Sequence, residues 1–146
     1  MKVFIAVCLI LAATFGAGAQ ESMERALLSD YGWHGAAGGV QIHQPTVEFR
    51  DPYVRAWERT PIGNQYGQWL YVMLVIDCND WRRLPLGTLD EDSHYIQLAD
   101  LIGEQPAWQY PKRPTPEWLN MTALCGLYGY APGTPRPPPG SGHVVR

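Results

Sequence analysis

The chain has 146 residues, 17% of them charged, with 11 Lys and Arg against 14 Asp and Glu and a formal net charge of −3. That length accommodates one domain and little more. The mild acidity argues against a nucleic-acid partner or an anionic membrane surface, because Arg82-Arg83 and Lys112-Arg113 are the only adjacent basic pairs.

Residues 1–19 read as an export signal. Lys2 supplies the positive start, Val3 to Phe15 is a nearly unbroken apolar run, and Ala17-Gly18-Ala19 offers the small residues of a cleavage site before Gln20. The run is about 13 residues where a membrane span needs about 20, so a cleaved signal is preferred to a retained anchor. A lipid-anchored form through Cys8 is disfavoured, because Val7 precedes that cysteine and Leu9 to Phe15 continue the apolar run. The mature chain, about 127 residues, then has no other long apolar run and no expected membrane insertion. With Lys2 removed from the 11 basic residues, 10 face 14 acidic ones, a net charge of −4.

Three cysteines become two in the mature chain, Cys78 and Cys125, and an exported pair in an oxidising compartment is expected to form a disulfide. A loop of that length gains about 4 kcal/mol in the chain-entropy account. The metal or redox alternative lacks a C-x-x-C pair and a nearby histidine at ligand spacing.

Residues 20–39 read as an irregular leader. Glu21 to Ser29 allows a short helical turn anchored by Leu27 and Leu28, and Tyr31 to Gly39 breaks any period. The domain proper is expected over 40–130. Val40 to His43 and Val47 to Arg50 alternate as strands around Pro45, and Asp51-Pro52 marks a turn. Tyr53 to Arg59 alternates again, with Tyr53, Arg55, Trp57 and Arg59 facing opposite to Val54, Ala56 and Glu58. Pro61 to Gly67 is a loop. Trp69 to Ile76 is apolar on both faces, which predicts a central strand running into Cys78. Asn79-Asp80 turns the chain into a return strand, Trp81 to Leu86, that Pro85 should end. An acidic turn, Asp90 to Ser93, precedes a strand over His94 to Leu98.

A helix is predicted from Thr115 as N-cap and Pro116 as first residue, with Glu117 suited to the dipole and Gly126 as stop. Trp118, Met121, Thr122 and Cys125 share one face, so the helix can dock where Cys78 ends the central strand. The stretch 131–146, rich in Pro and Gly, is expected to be a disordered tail. The fold class is therefore α+β: a small antiparallel sheet, a C-terminal helix packed on it, and one disulfide.

Several features follow one another in an order that resembles a known family. They are Val54-Arg55-Ala56-Trp57, the long strand ending Val75-Ile76-Asp77-Cys78, and the short strand Trp81-Arg82-Arg83-Leu84. Pro106-Ala107-Trp108 and the helix Pro116 to Cys125 complete the set. The family is that of the small exported bacterial proteins grouped as surface-adhesin protein E-like. The resemblance covers Val40 to Cys125, and the order of features and the cysteine positions carry it. It implies an antiparallel sheet with a packed helix and a binding role, since named members are adhesins that hold host extracellular proteins. This chain departs from that pattern in lacking a lipid-anchoring cysteine, so a periplasmic or secreted location is expected over surface display. The proline tail is also additional to the family core.

Motifs for chemistry are sparse. His34, His43, His94 and His143 lie in unrelated elements, and Asp90-Glu91-Asp92 lacks the glycine and distal glutamate of a calcium loop. No nucleophile elbow, P-loop or dinucleotide fingerprint occurs. Asn120-Met121-Thr122 has the glycosylation pattern but falls within the predicted helix. No catalytic residue, metal ligand or cofactor is assigned.

Six tryptophans and eight tyrosines are many for this length. Trp69 and Trp118 are expected in the core, whereas Trp33, Trp57, Trp81, Trp108 and Tyr110 lie near turns or alternating strands and are open to exposure. Tryptophan, tyrosine and arginine anchor interfaces. Arg55, Trp57 and Arg59 on one strand face, with Trp81 and Arg83, are accordingly the expected partner-binding surface. The expected function is a non-catalytic, adhesin-like binding protein with a protein partner, which the resemblance would make a host extracellular one. The alternatives are a periplasmic inhibitor or immunity-type protein, and a small hydrolase.

Overall fold

The apolar run Trp69 to Ile76 occupies the middle of the sheet. A computed structural model describes residues 17–35, 39–63 and 67–134. The expected signal run through Phe15, the tail from Pro135 and His143 lie outside the described residues. The chain divides into two compact units, Met1–Asp30 and Tyr31–Arg146.

In the first unit, helix α1 spans Ala17–Leu28, longer than the turn expected over Glu21 to Ser29. Its Ala, Leu, Met, Glu and Arg residues are strong helix formers. Ser22 Oγ donates to the Ala19 carbonyl at 3.0 Å and Gln20 Nε2 to Glu24 Oε1 at 3.1 Å.

The second unit is an antiparallel sheet of seven strands among the described residues: β1 (Trp33–Gly35), β2 (Gln41–His43), β3 (Glu48–Arg50), β4 (Tyr53–Pro61), β5 (Trp69–Asp77), β6 (Arg82–Leu89) and β7 (Tyr95–Gln97). Their order is β1-β2-β4-β5-β6-β7, with β3 also paired to β4. β4 and β5 pair along their whole length, from Tyr53 opposite Asp77 to Pro61 opposite Trp69. Two helices follow, α2 (Leu98–Ile102) and α3 (Pro116–Gly126).

One sheet face carries Val54, Ala56, Leu74 and Ile76, all buried against Met121, Leu124 and Cys125 of α3. Thr115 caps that helix by accepting from the Trp118 N–H at 3.4 Å, with Pro116 as its first residue. Cys78 and Cys125 form the expected disulfide, Cα atoms 5.5 Å apart across 47 residues. The helix is thus tied to the end of the central strand. Gly126, expected as the stop, is the last helical residue, and Gly129 at φ 85° makes the left-handed reversal instead. On either side of it the chain meets β3 and the turn that follows, where Tyr128 stacks on Phe49 at 4.0 Å and the Tyr130 hydroxyl donates to Asp51.

Three expectations are corrected. Pro85 does not end its strand. The register with β5 shifts between Met73 and Leu74, and Pro85 lies opposite Leu74, beside that irregularity, where a missing N–H is tolerated. Within 20–39, residues 20–28 belong to α1 and Trp33 to Gly35 form the edge strand β1, paired with His43 to Gln41, where an irregular leader was expected. The strand over His94 to Leu98 is shorter, Tyr95–Gln97, because Leu98 opens α2.

Candidate functional site

The alternation read from β4 is correct, but its consequence is not. Arg55, Trp57 and Arg59 do share the sheet face opposite α3, yet that face is covered by its own large side chains. Trp57 is 2% exposed. Its ring meets Tyr95 edge-on at 5.9 Å, and Tyr95 lies over Gly87 so closely that a Cβ there would sit 2.1 Å from the phenol ring. Arg59, 5% exposed, has its guanidinium 4.6 Å from the Trp33 ring centre and 4.2 Å from that of Trp69. Its Nε donates to Gln41 Oε1 at 2.7 Å. Arg55 pairs with Glu48 at 2.6 Å. Trp57, Arg59 and Trp33 are therefore buried and Arg55 partly buried, so the face is not the open surface that alternation suggested.

Arg83 points to the other face and is also buried. It donates twice to Glu58, Nη1 to Oε2 at 3.1 Å and Nη2 to Oε1 at 3.0 Å. Asn120 of α3 donates Nδ2 to the same Glu58 Oε2 at 3.1 Å. Charge neutralisation and three hydrogen bonds keep this carboxylate buried. The Asn120 amide nitrogen, part of the glycosylation pattern, is thereby committed to an internal bond.

A different set of aromatic and arginine side chains gathers at the β5–β6 hairpin. Asp77 closes the turn by accepting from the Asn79 and Asp80 N–H groups at 3.1 and 3.2 Å and from Arg82 Nε at 3.1 Å. Trp81 follows at φ 52°, a left-handed conformation that is costly for a bulky residue. Its ring rests on Trp118 at 5.8 Å, and the Arg113 guanidinium lies over the Trp118 ring at 4.4 Å. On the other side of Arg83, Arg82 lies over Trp108 at 4.4 Å, with the Tyr110 hydroxyl beside its guanidinium. Trp108 and Tyr110 are placed there because Gln109 exchanges two backbone hydrogen bonds with Arg83, at 2.9 and 2.7 Å. Tyr110 is 65% exposed, and Trp81, Trp108 and Trp118 are half-buried. Of these, the sequence singles out Trp81 and leaves Trp108 and Tyr110 open to exposure. The available signal was their i, i+2 spacing between Pro106 and Pro111, an extended segment with both rings on one side.

Among the described residues, no group of three or more His, Cys, Asp or Glu side chains is arranged to hold a metal ion. His34 and His94 are exposed and His43 is buried. Asp90 braces the acidic turn by accepting from the Asp92 and His94 N–H groups at 3.0 and 2.8 Å.

These features define an α+β module: a seven-stranded antiparallel sheet with a disulfide-tethered C-terminal helix. The crystal form II structure of Haemophilus influenzae protein E is similar to it, with a TM-score of 0.52 over 69% of this chain and 92% of that one at 10% identity. The fold is protein E-like, in agreement with the order of strands, helix and cysteines in the sequence. No family model matches the chain, and no curated protein matches it in sequence.

Proposed function

We propose that this is an exported, non-catalytic protein that binds another protein through the edge formed by Trp81, Arg82, Trp108, Tyr110, Arg113 and Trp118. The observation that carries this reading is the convergence of Trp, Tyr and Arg side chains, partly exposed and held by a backbone bridge, at one hairpin. Such residues supply most interface energy. Conformationally costly residues also tend to cluster where structure serves a function, and Trp81 is one. Export rests on the signal-like segment. The non-catalytic assignment is supported by the buried carboxylates, since Glu58 and Asp77 are both saturated by structural partners. The resemblance to adhesins makes a host extracellular protein the expected partner.

A second reading, an inhibitor or immunity-type protein, is favoured by the self-braced acidic turn at Asp90 to Ser93. A photo-crosslinking residue placed at position 110, 91 or 31 separates the two. The proposal expects capture of one host extracellular protein from position 110 and none from position 31, an exposed tyrosine outside the edge. Capture of an enzyme from position 91 alone would support the inhibitor instead.

A further inference from the structure

His43 lies at the end of β2, 2% exposed. It stands opposite Trp33 of edge strand β1 in register, with the two rings 4.9 Å apart. Trp33 in turn carries the Arg59 guanidinium at 4.6 Å and meets Tyr71 edge-on at 5.7 Å. The approach to β1 is tight: Gly32 has φ 81°, and a Cβ there would sit 2.8 Å from Pro45 and 3.2 Å from His43 Nε2. Thr46 lies 3.2 Å from His43 Nδ1 and donates its hydroxyl to the His43 carbonyl at 3.0 Å.

We propose that His43 and Arg59, both packed on the Trp33 ring, make β1 an acid-released edge strand. When His43 takes up a proton, two cations share one buried ring, and separating β1 from β2 lets the imidazolium reach water. Several groups face the histidine. Arg59 on β4 opposes the charge, the Tyr31 carbonyl favours it, and the Trp33 and Tyr71 rings and the Thr46 hydroxyl are uncharged at neutral pH. Burial lowers the His43 pKa most, the Tyr31 carbonyl raises it and Arg59 lowers it, leaving it below the ordinary 6.5. A histidine with a depressed folded pKa contributes stability above the unfolded value. That stability is lost as pH falls from 6.5 toward the folded pKa, because the released strand binds the proton and the packed one does not. β1 is the element exposed to this loss, being three residues long and paired on one side only.

Amide hydrogen exchange on the full chain at pH 7.5 and pH 5.0, normalised to intrinsic rates, tests the proposal. Protection of the amides joining Trp33–Gly35 to Gln41–His43 should fall at least tenfold at the lower pH, while β4–β5 amides keep theirs. His43→Gln should remove the difference. Equal β1 protection at both pH values overturns the proposal. So does a His43 ring that titrates at or above 6.5 in the folded native chain, a readout that stands even if the variant fails to fold.

Discussion

Trp57 and Arg83 are both buried, and each shows that a side chain's contribution is set by what surrounds it. Alternation along β4 placed Trp57 beside Arg55 and Arg59, but a period of two says which side chains share a face and not whether that face is wet. Wetness here depends on Gly87, whose missing side chain admits the Tyr95 ring onto Trp57, a contact between strands that no local pattern encodes. Trp57→Ala is therefore expected to cost about 3–5 kcal/mol of stability, measured by urea denaturation, and to affect binding only through unfolding. The arginines divide in the same way. Arg83→Met strands the Glu58 carboxylate in the interior with the Asn120 amide still donating to it, for an expected loss of about 3–5 kcal/mol. Arg55→Met loses a pair whose Glu48 partner is half open to solvent, worth about 1 kcal/mol or less. Equal losses for the two arginine variants would contradict this assignment. Arg82 and Arg83 look alike in the sequence, yet consecutive strand positions send one to the hairpin edge and the other into the core.

At the scale of elements, the sequence was most legible where local and tertiary preferences agree. The doubly apolar run became β5, and the Thr115-Pro116 start and apolar stripe became α3 docked at Cys78. It was least legible where pairing partners lie far away. Trp33 to Gly35 carries no strand pattern of its own and becomes β1 because Gln41 to His43 offers an edge. Pro85 remains within β6 because the register shift in β5 removes the need for its N–H. The α3 anchor gives an element-scale prediction. Cys78→Ser or Cys125→Ser should each destabilise by about 2–5 kcal/mol, with the double variant no worse than the costlier single one. The Glu58–Asn120 bond is a second tether between helix and sheet, so the reduced protein should keep α3 docked. Equilibrium denaturation of the three variants, with near-ultraviolet circular dichroism to report packing, checks both statements. Additive losses would mean that the cysteines stabilise separately.

For the molecule as a whole, the proposed binding surface is the β5–β6 hairpin edge, and the packed layer around Trp57 is not part of it. Part of that edge was readable, since Trp81 stood out from the sequence. Its remainder depends on the bridge between Arg83 and Gln109, which brings residues 26 positions apart into register. The expected Arg55, Trp57 and Arg59 surface failed for the converse reason, that its side chains find one another before they find solvent. The most direct test uses the partner captured from position 110 and compares native protein with Tyr110→Ala, Trp108→Ala and Tyr31→Ala, measuring affinity and melting temperature on the same samples. The account predicts that Tyr110→Ala and Trp108→Ala each weaken binding by about 2 kcal/mol or more, roughly 30-fold, while Tyr31→Ala has no effect and Tyr110→Ala melts as native. Native affinity in both edge variants, with melting temperatures unchanged, would contradict it.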